Sequence, residues 1–179
     1  VVVRSRGVGD VNKGQASVVL ASGSDDQKKE WLPKIASGDA ILTPAWMEPA
    51  NGFGPKGVQV RATASGDGFT ISGTKLNVHY ASSAERMLVL ARTGDADTNI
   101  SVFLVDPNAQ GVKLTQALSL SSDTQYRVDL AGVAVTKADI VGDWASFNAA
   151  MYEGSPLYTS SAAHKPHLRS CGGRQLTNQ

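Results

Sequence analysis

Val58-Gln59-Val60-Arg61-Ala62-Thr63-Ala64-Ser65-Gly66-Asp67-Gly68-Phe69-Thr70-Ile71-Ser72 is the stretch on which the fold turns. Val58, Val60, Ala62 and Ala64 alternate with Gln59, Arg61 and Thr63. A period of two is the mark of a half-buried strand. Ser65-Gly66-Asp67-Gly68 supplies a turn, and Phe69-Thr70-Ile71-Ser72 supplies the return strand of a hairpin. The pattern continues downstream. Met87 to Ala91 is an unbroken apolar run, read as a buried strand, and Gly94 to Asn99 is a polar loop. Ile100 to Val105 is a further strand, closed by Asp106-Pro107-Asn108. Val112 to Leu118, Tyr126 to Leu130 and Val133 to Val135 complete the set. Many short strands with regular turn signals predict a mainly β fold, a barrel or sandwich.

Upstream, the signals are helical. Ser24 is a good N-cap, Asp25 and Asp26 suit the positive helix end, and Gln27 completes a capping box. Trp31, Leu32 and Ile35 give an apolar face, and Gly38 a stop. Pro33 predicts a break, hence two short helical turns between Ser24 and Gly38. Before Ser22, glycines at 7, 9 and 14 weaken any helix. After Glu153 no acidic residue follows, and Ser155 to Gln179 lacks an apolar period, so no structure is assigned there.

Composition sets the outer bounds. The chain has 179 residues, 41% hydrophobic and 18% charged, with a net charge of +1 and one cysteine. That length fits one ordinary domain, and that apolar fraction supports a core. Near-neutral charge lacks the footprint of a nucleic-acid binder. One cysteine forms no internal disulfide and no Cys-rich zinc site, which points to a cytoplasmic setting. No apolar run has the length to span a bilayer, and Val-Val-Val-Arg-Ser-Arg at the start does not read as a signal peptide.

Several motifs have plain readings. Gly52-Phe53-Gly54-Pro55-Lys56-Gly57 matches G-x-G-x-x-G, but a strand pattern follows instead of a helix, and Pro55 has no N–H. It reads as a glycine-rich loop between strands. Asp95-x-Asp97-x-Asn99 opens like a calcium loop, yet Ile100 stands where the turn glycine belongs. His79, His164 and His167 show no metal-ligand spacing, and Cys171 has no partner base nearby. His79 at a strand end reads first as a hydrogen-bonded structural residue.

One ordered series goes further. Gln27-Lys28-Lys29-x-Trp31-Leu32-Pro33-Lys34-Ile35-Ala36-x-Gly38 precedes Met47-Glu48-Pro49. Gly66-Asp67-Gly68-Phe69-x-Ile71-x-Gly73-x-Lys75, Ala84-Glu85-Arg86, Leu90-Ala91-Arg92-Thr93 and Val102-Phe103-Leu104-Val105-Asp106 follow in order. The series resembles the acyl-CoA dehydrogenase family from Gly23 to Trp144. The resemblance implies FAD as cofactor and an acyl-CoA thioester as substrate, oxidised to the 2,3-enoyl-CoA in fatty acid metabolism. A glutamate removes the α-proton while hydride leaves to the flavin. It also implies an electron-transferring flavoprotein or similar acceptor, and a homo- or hetero-oligomer.

By that resemblance, residues 23–40 end an N-terminal helical domain and residues 41–144 form the middle β-barrel domain. Residues 1–22 are then an uncertain lead-in, and 145–179 a truncated or aberrant start of the C-terminal helices. The changes of composition at both ends carry the expectation that they are non-native sequence flanking a genuine middle domain. The family glutamate lies in those C-terminal helices, so no catalytic base is assigned here. Cofactor contacts carry over to Ala45, Trp46 and Met47, and to Asn77, Val78 and His79. Met47 stands where the family has threonine. Asn77-Val78-His79 stands where it has Trp-Ile-Thr or Trp-Ile-Ser, so His79 offers a donor in place of the hydroxyl. Phe53 replaces a serine that contacts the CoA portion of the substrate. These departures leave open a flavin-free structural subunit of a hetero-oligomer. An acyl-CoA oxidase or related flavoprotein shares the fold and is a further alternative.

Overall fold

The computed structural model describes the backbone of residues 6–153 apart from 51, 53 and 120–122, and side chains within 14–151. Ser155 to Gln179, with His164, His167 and Cys171, lies outside the described residues, as does Phe53.

Two helices lead in, α1 (Arg6–Ser22) and α2 (Asp25–Ser37). Eight strands follow: β1 (Leu42–Ala45), β2 (Arg61–Ser65), β3 (Gly68–His79), β4 (Arg86–Arg92), β5 (Ile100–Val105), β6 (Val112–Ala117), β7 (Gln125–Thr136) and β8 (Ile140–Asp143). A third helix, α3 (Trp144–Glu153), comes last. The strands form one sheet in the order β6-β7-β3-β2-β4-β5-β8, with β1 also on β4. The mainly β expectation holds.

The hairpin forms as the alternation requires, with Ser65 opposite Gly68 and Arg61 opposite Ser72. Its return strand is longer than expected, because β3 runs twelve residues to His79. Register shifts after Ile71 and Lys75 let it bend and continue beside β7. The two strands expected over 126–135 are one, β7, which passes through Gly132.

β4 and β5 explain the unbroken apolar runs. Met87, Val89, Ala91, Phe103 and Val105 face an inner core with Ile71, Val78, Val128 and Val133. Phe69 meets Phe103 edge-on there, with ring centroids 5.6 Å apart. Leu88, Leu90, Val102 and Leu104 face the opposite way, toward Val18, Val19, Trp31 and Phe147 of the three helices. A strand covered on both faces loses its alternation.

The helices depart from expectation in two ways. α2 is one helix through Pro33, not two turns. Its capping box and the left-handed Gly38 close both ends, and Trp31 is buried. Pro33 has no N–H to donate to the Lys29 carbonyl, but both residues are exposed, so water donates to that oxygen instead. α1 forms despite its glycines. Val18 and Val19 are fully buried, and a Cβ on Gly14 would meet Met151 Sδ of α3 at 3.1 Å. Packing against α3 and the sheet overrides a weak intrinsic propensity.

One feature of the sheet positions the site. β1 and β2 both run parallel to β4. Both β2 and Met47 pair antiparallel with β3. They therefore act as one strand interrupted by an excursion, residues 49–57. The excursion is pinched at its neck, where a Cβ on Gly57 would collide with the Gly52 carbonyl oxygen. Arg92 ties it down. Its guanidinium donates to the carbonyls of Pro55 (2.7 Å), Val58 (3.0 Å), Asp95 (3.1 Å) and Ala96 (3.0 Å).

Candidate functional site

Glu48 sits where the interrupted strand breaks. A gap in a sheet leaves backbone N–H groups without a strand partner, and a buried N–H needs an acceptor. The Glu48 carboxylate supplies it, accepting from Gln59 N (2.8 Å) and Val60 N (3.1 Å). Its other partner is Lys75 of β3, whose Nζ lies 2.6 Å from Oε1. Both side chains are buried, at 0% exposure for Lys75 and 3% for Glu48. Burial pushes the Lys75 ammonium down from 10.5 to about 8, against the upward pull of the Glu48 charge and hydrogen bond. Glu48 thus has its carboxylate oxygens engaged by Lys75 and by the Gln59 and Val60 amides.

The next residues on each strand form a seam. Leu76 N donates to Met47 O at 2.9 Å. The Asn77 amide lies 3.9 Å from Met47 Sδ. The buried Thr43 hydroxyl donates to the His79 carbonyl at 2.6 Å. Asn77 and Tyr80 both have positive φ, 53° and 54°, which bends the chain sharply around His79.

This geometry sorts the candidate residues. Ala45 and Val78 are fully buried in the inner core, so they offer only backbone. Trp46 is 39% exposed, Asn77 is exposed, and Met47 and His79 are half-buried. The structure brings the 45–47 and 77–79 segments side by side, although thirty residues separate them. Phe53 lies outside the described residues.

His79 is not alone. Its Nε2 lies 2.9 Å from Asp123 Oδ2. Gln125 Nε2 donates to the same oxygen at 2.9 Å, and Ser119 Oγ to Oδ1 at 2.8 Å. The two nitrogens of His79 and Gln125 are 3.3 Å apart. Sharing one acceptor oxygen accounts for that spacing. Sequence reasoning missed Asp123 and the buried role of Glu48–Lys75. Lys75 carried a signal: a lysine on a strand that buries Ile71 and Val78 requires a carboxylate.

The calcium-like opening has a different use. Asp95 Oδ1 is 3.2 Å from Arg61, and Asp97 Oδ1 is 3.6 Å from Arg92. These residues, with Lys56 and Gln59, line a shallow open pocket of about 240 Å³. No described helix is long and apolar enough to cross a membrane.

The fold agrees with comparison to known proteins. The family described as acyl-CoA dehydrogenase, middle domain, matches residues 43–133, more than half of the chain. The chain belongs to the acyl-CoA dehydrogenase family. It is 35% identical over 94 residues to (2S)-methylsuccinyl-CoA dehydrogenase of Cereibacter sphaeroides, covering 51% of this chain and 17% of that protein. Glutaryl-CoA dehydrogenase of Mycobacterium smegmatis in complex with FADH2 superimposes with a TM-score of 0.74 and 27% identity. That match covers 83% of this chain and 39% of the solved one. The ChsE4-ChsE5 complex of Mycobacterium tuberculosis matches with a TM-score of 0.68 and 26% identity, over 85% of this chain and 38% of that one. The acyl-CoA dehydrogenase portion in hand therefore spans well under half the length of these proteins.

Proposed function

We propose that this chain is the middle domain of an FAD-dependent acyl-CoA dehydrogenase that acts on an acyl-CoA thioester. One observation carries the reading. Two segments that the family lays along the flavin meet here in a single seam, Met47 against Leu76 and Asn77. The side chains around it are an indole, a thioether, an amide and an imidazole, all at least partly exposed. Such a set suits a flat heteroaromatic ring with a polar edge. The glutaryl-CoA dehydrogenase with FADH2 shares this fold, which adds support.

When bound, FAD supplies the hydride acceptor for oxidation to the enoyl-CoA. The chain's own residues bind and orient. Trp46 contributes apolar contact area. Met47 offers backbone groups and a thioether, but not the hydroxyl of the family threonine. His79 offers a ring nitrogen, and Glu48–Lys75 holds the Met47 segment in register. Phe53 is assigned to the CoA side of the substrate. The base comes from helices outside residues 23–40 and 41–144, the two units proposed for this chain. An electron-transferring flavoprotein or similar acceptor would be the partner that takes the electrons onward.

The natural full-length polypeptide should show the flavin absorption band, or gain it on reconstitution with FAD. A colourless protein that takes up no FAD would sink the reading. It would leave the second one, a flavin-free subunit of a hetero-oligomer, favoured by the missing Met47 hydroxyl and by the hetero-oligomeric ChsE4-ChsE5 neighbour.

A further inference from the structure

We propose that His79 and Asp123 form a proton-exchanging imidazole–carboxylate pair at the edge of this seam. It would place a charge that switches with pH where the family has a hydroxyl that does not titrate. The proposal rests on the flavin reading above and adds to it.

The chemistry follows from the contacts. A carboxylate only accepts hydrogen bonds, so we take the 2.9 Å approach to Asp123 as calling for a hydrogen on Nε2 of His79; a bare Nε2 would instead accept from the Gln125 amide 3.3 Å away. That leaves Nδ1 as the nitrogen that gains or loses a proton. Protonation takes one proton from solvent to Nδ1, turns the neutral ring into an imidazolium, and leaves Nε2–H on Asp123. No electron moves in this step.

The carboxylate is built to hold its position. Ser119 occupies Oδ1 and Gln125 shares Oδ2. The backbone of His79 is fixed by Thr43 of β1. The ring keeps 40% side-chain exposure, so the proton has a path to water, while Asp123 keeps 20%. Among the described residues, the charged group in contact with the ring is Asp123. Tyr80 is the other titratable neighbour, with its ring centroid 6.4 Å away. Gln125 of β7 and Thr43 of β1 are neutral. His79 has an anchored carboxylate beside one nitrogen and solvent access next to the segment assigned to the cofactor.

Two measurements on the natural full-length polypeptide test this. Long-range proton–nitrogen NMR on the FAD-free protein reads the tautomer of His79. The expected result is Nε2–H in the wild type and a mixture of tautomers in Asp123→Asn. An Nδ1–H tautomer in the wild type, or no change in Asp123→Asn, overturns the pair. On the FAD-loaded protein, the visible flavin band should shift as pH is varied. The shift should vanish in His79→Gln. If FAD binds and the wild-type band is flat with pH, His79 does not act on the ring and the proposal fails. If no FAD binds, the flavin reading fails and takes this cofactor arm with it, while the NMR arm still decides whether the pair exists.

Discussion

β3 carries two basic side chains that each meet a carboxylate, four residues apart, and the two contacts do opposite work. Lys75 meets Glu48 in a dry interior, at 0% and 3% exposure. His79 meets Asp123 near water, at 40% and 20%. Their separations are similar, 2.6 and 2.9 Å. Environment rather than distance sets what each contributes. Taking two charges out of water costs about what their attraction returns, so a buried pair adds little net stability yet is expensive to break. Its effect is to exclude other registers: only one pairing of Met47 with β3 lets Glu48 reach Lys75 and the Gln59 and Val60 amides together. A wet pair is screened and contributes little either way. Its freedom is that a proton can come and go.

The largest test of this contrast is Lys75→Met. It strands the Glu48 carboxylate in the interior, and stability should fall by about 3–5 kcal/mol in urea unfolding. Adding Glu48→Gln should recover part of that loss, because the amide oxygen still accepts from one backbone N–H and no charge is left buried. A double variant as unstable as the single one would contradict a pair held mainly against its desolvation.

Lys75 also makes stability depend on pH. Its folded value, about 8, lies below the ordinary 10.5. Between those limits the unfolded chain binds more protons than the folded one, so stability should rise with pH across that window. Denaturant midpoints taken from pH 8 to 10.5 would read the slope. The slope should disappear in Lys75→Met, and its survival there would assign it to another group.

A smaller effect belongs to the link between the two pairs. Thr43→Val removes the 2.6 Å bond to the His79 carbonyl in a buried position. The expected cost is about 1 kcal/mol, with near-unchanged packing elsewhere. Thermal unfolding would detect it, and no change would mean the end of β3 is held by other contacts.

How far the sequence reveals this arrangement depends on where local and tertiary forces agree. The β2–β3 hairpin is legible because alternation and turn glycines point the same way. The rest of β3 is not, since Gly73 and Lys75 break the alternation that the register shifts then absorb. α1 is illegible for a related reason: its glycines lower local propensity, and the compensating contact of Gly14 with Met151 spans most of the chain. The short β8 carries too few residues to show a period. At the site, the 45–47 and 77–79 segments are legible only as a resemblance, because nothing local says that they touch. Asp123 follows a run of serines with no pattern, and its value comes entirely from folding next to His79.

The smallest expected effect closes the contrast. Asp123→Asn keeps size and shape, removes the charge facing His79 and replaces one of the two acceptor oxygens, which take hydrogen bonds from Ser119 and Gln125, by a donor. Because both groups are partly solvated, stability should change by less than about 1 kcal/mol. That is several-fold below the loss in Lys75→Met, although both variants break a contact between a carboxylate and a basic side chain of the same strand. Parallel urea titrations of the two variants would measure the ratio directly. A loss in Asp123→Asn as large as that in Lys75→Met would mean that the His79 end is as dry as the Lys75 end. The proton path to Nδ1 would then be closed, and His79 would hold the fold rather than exchange protons with solvent.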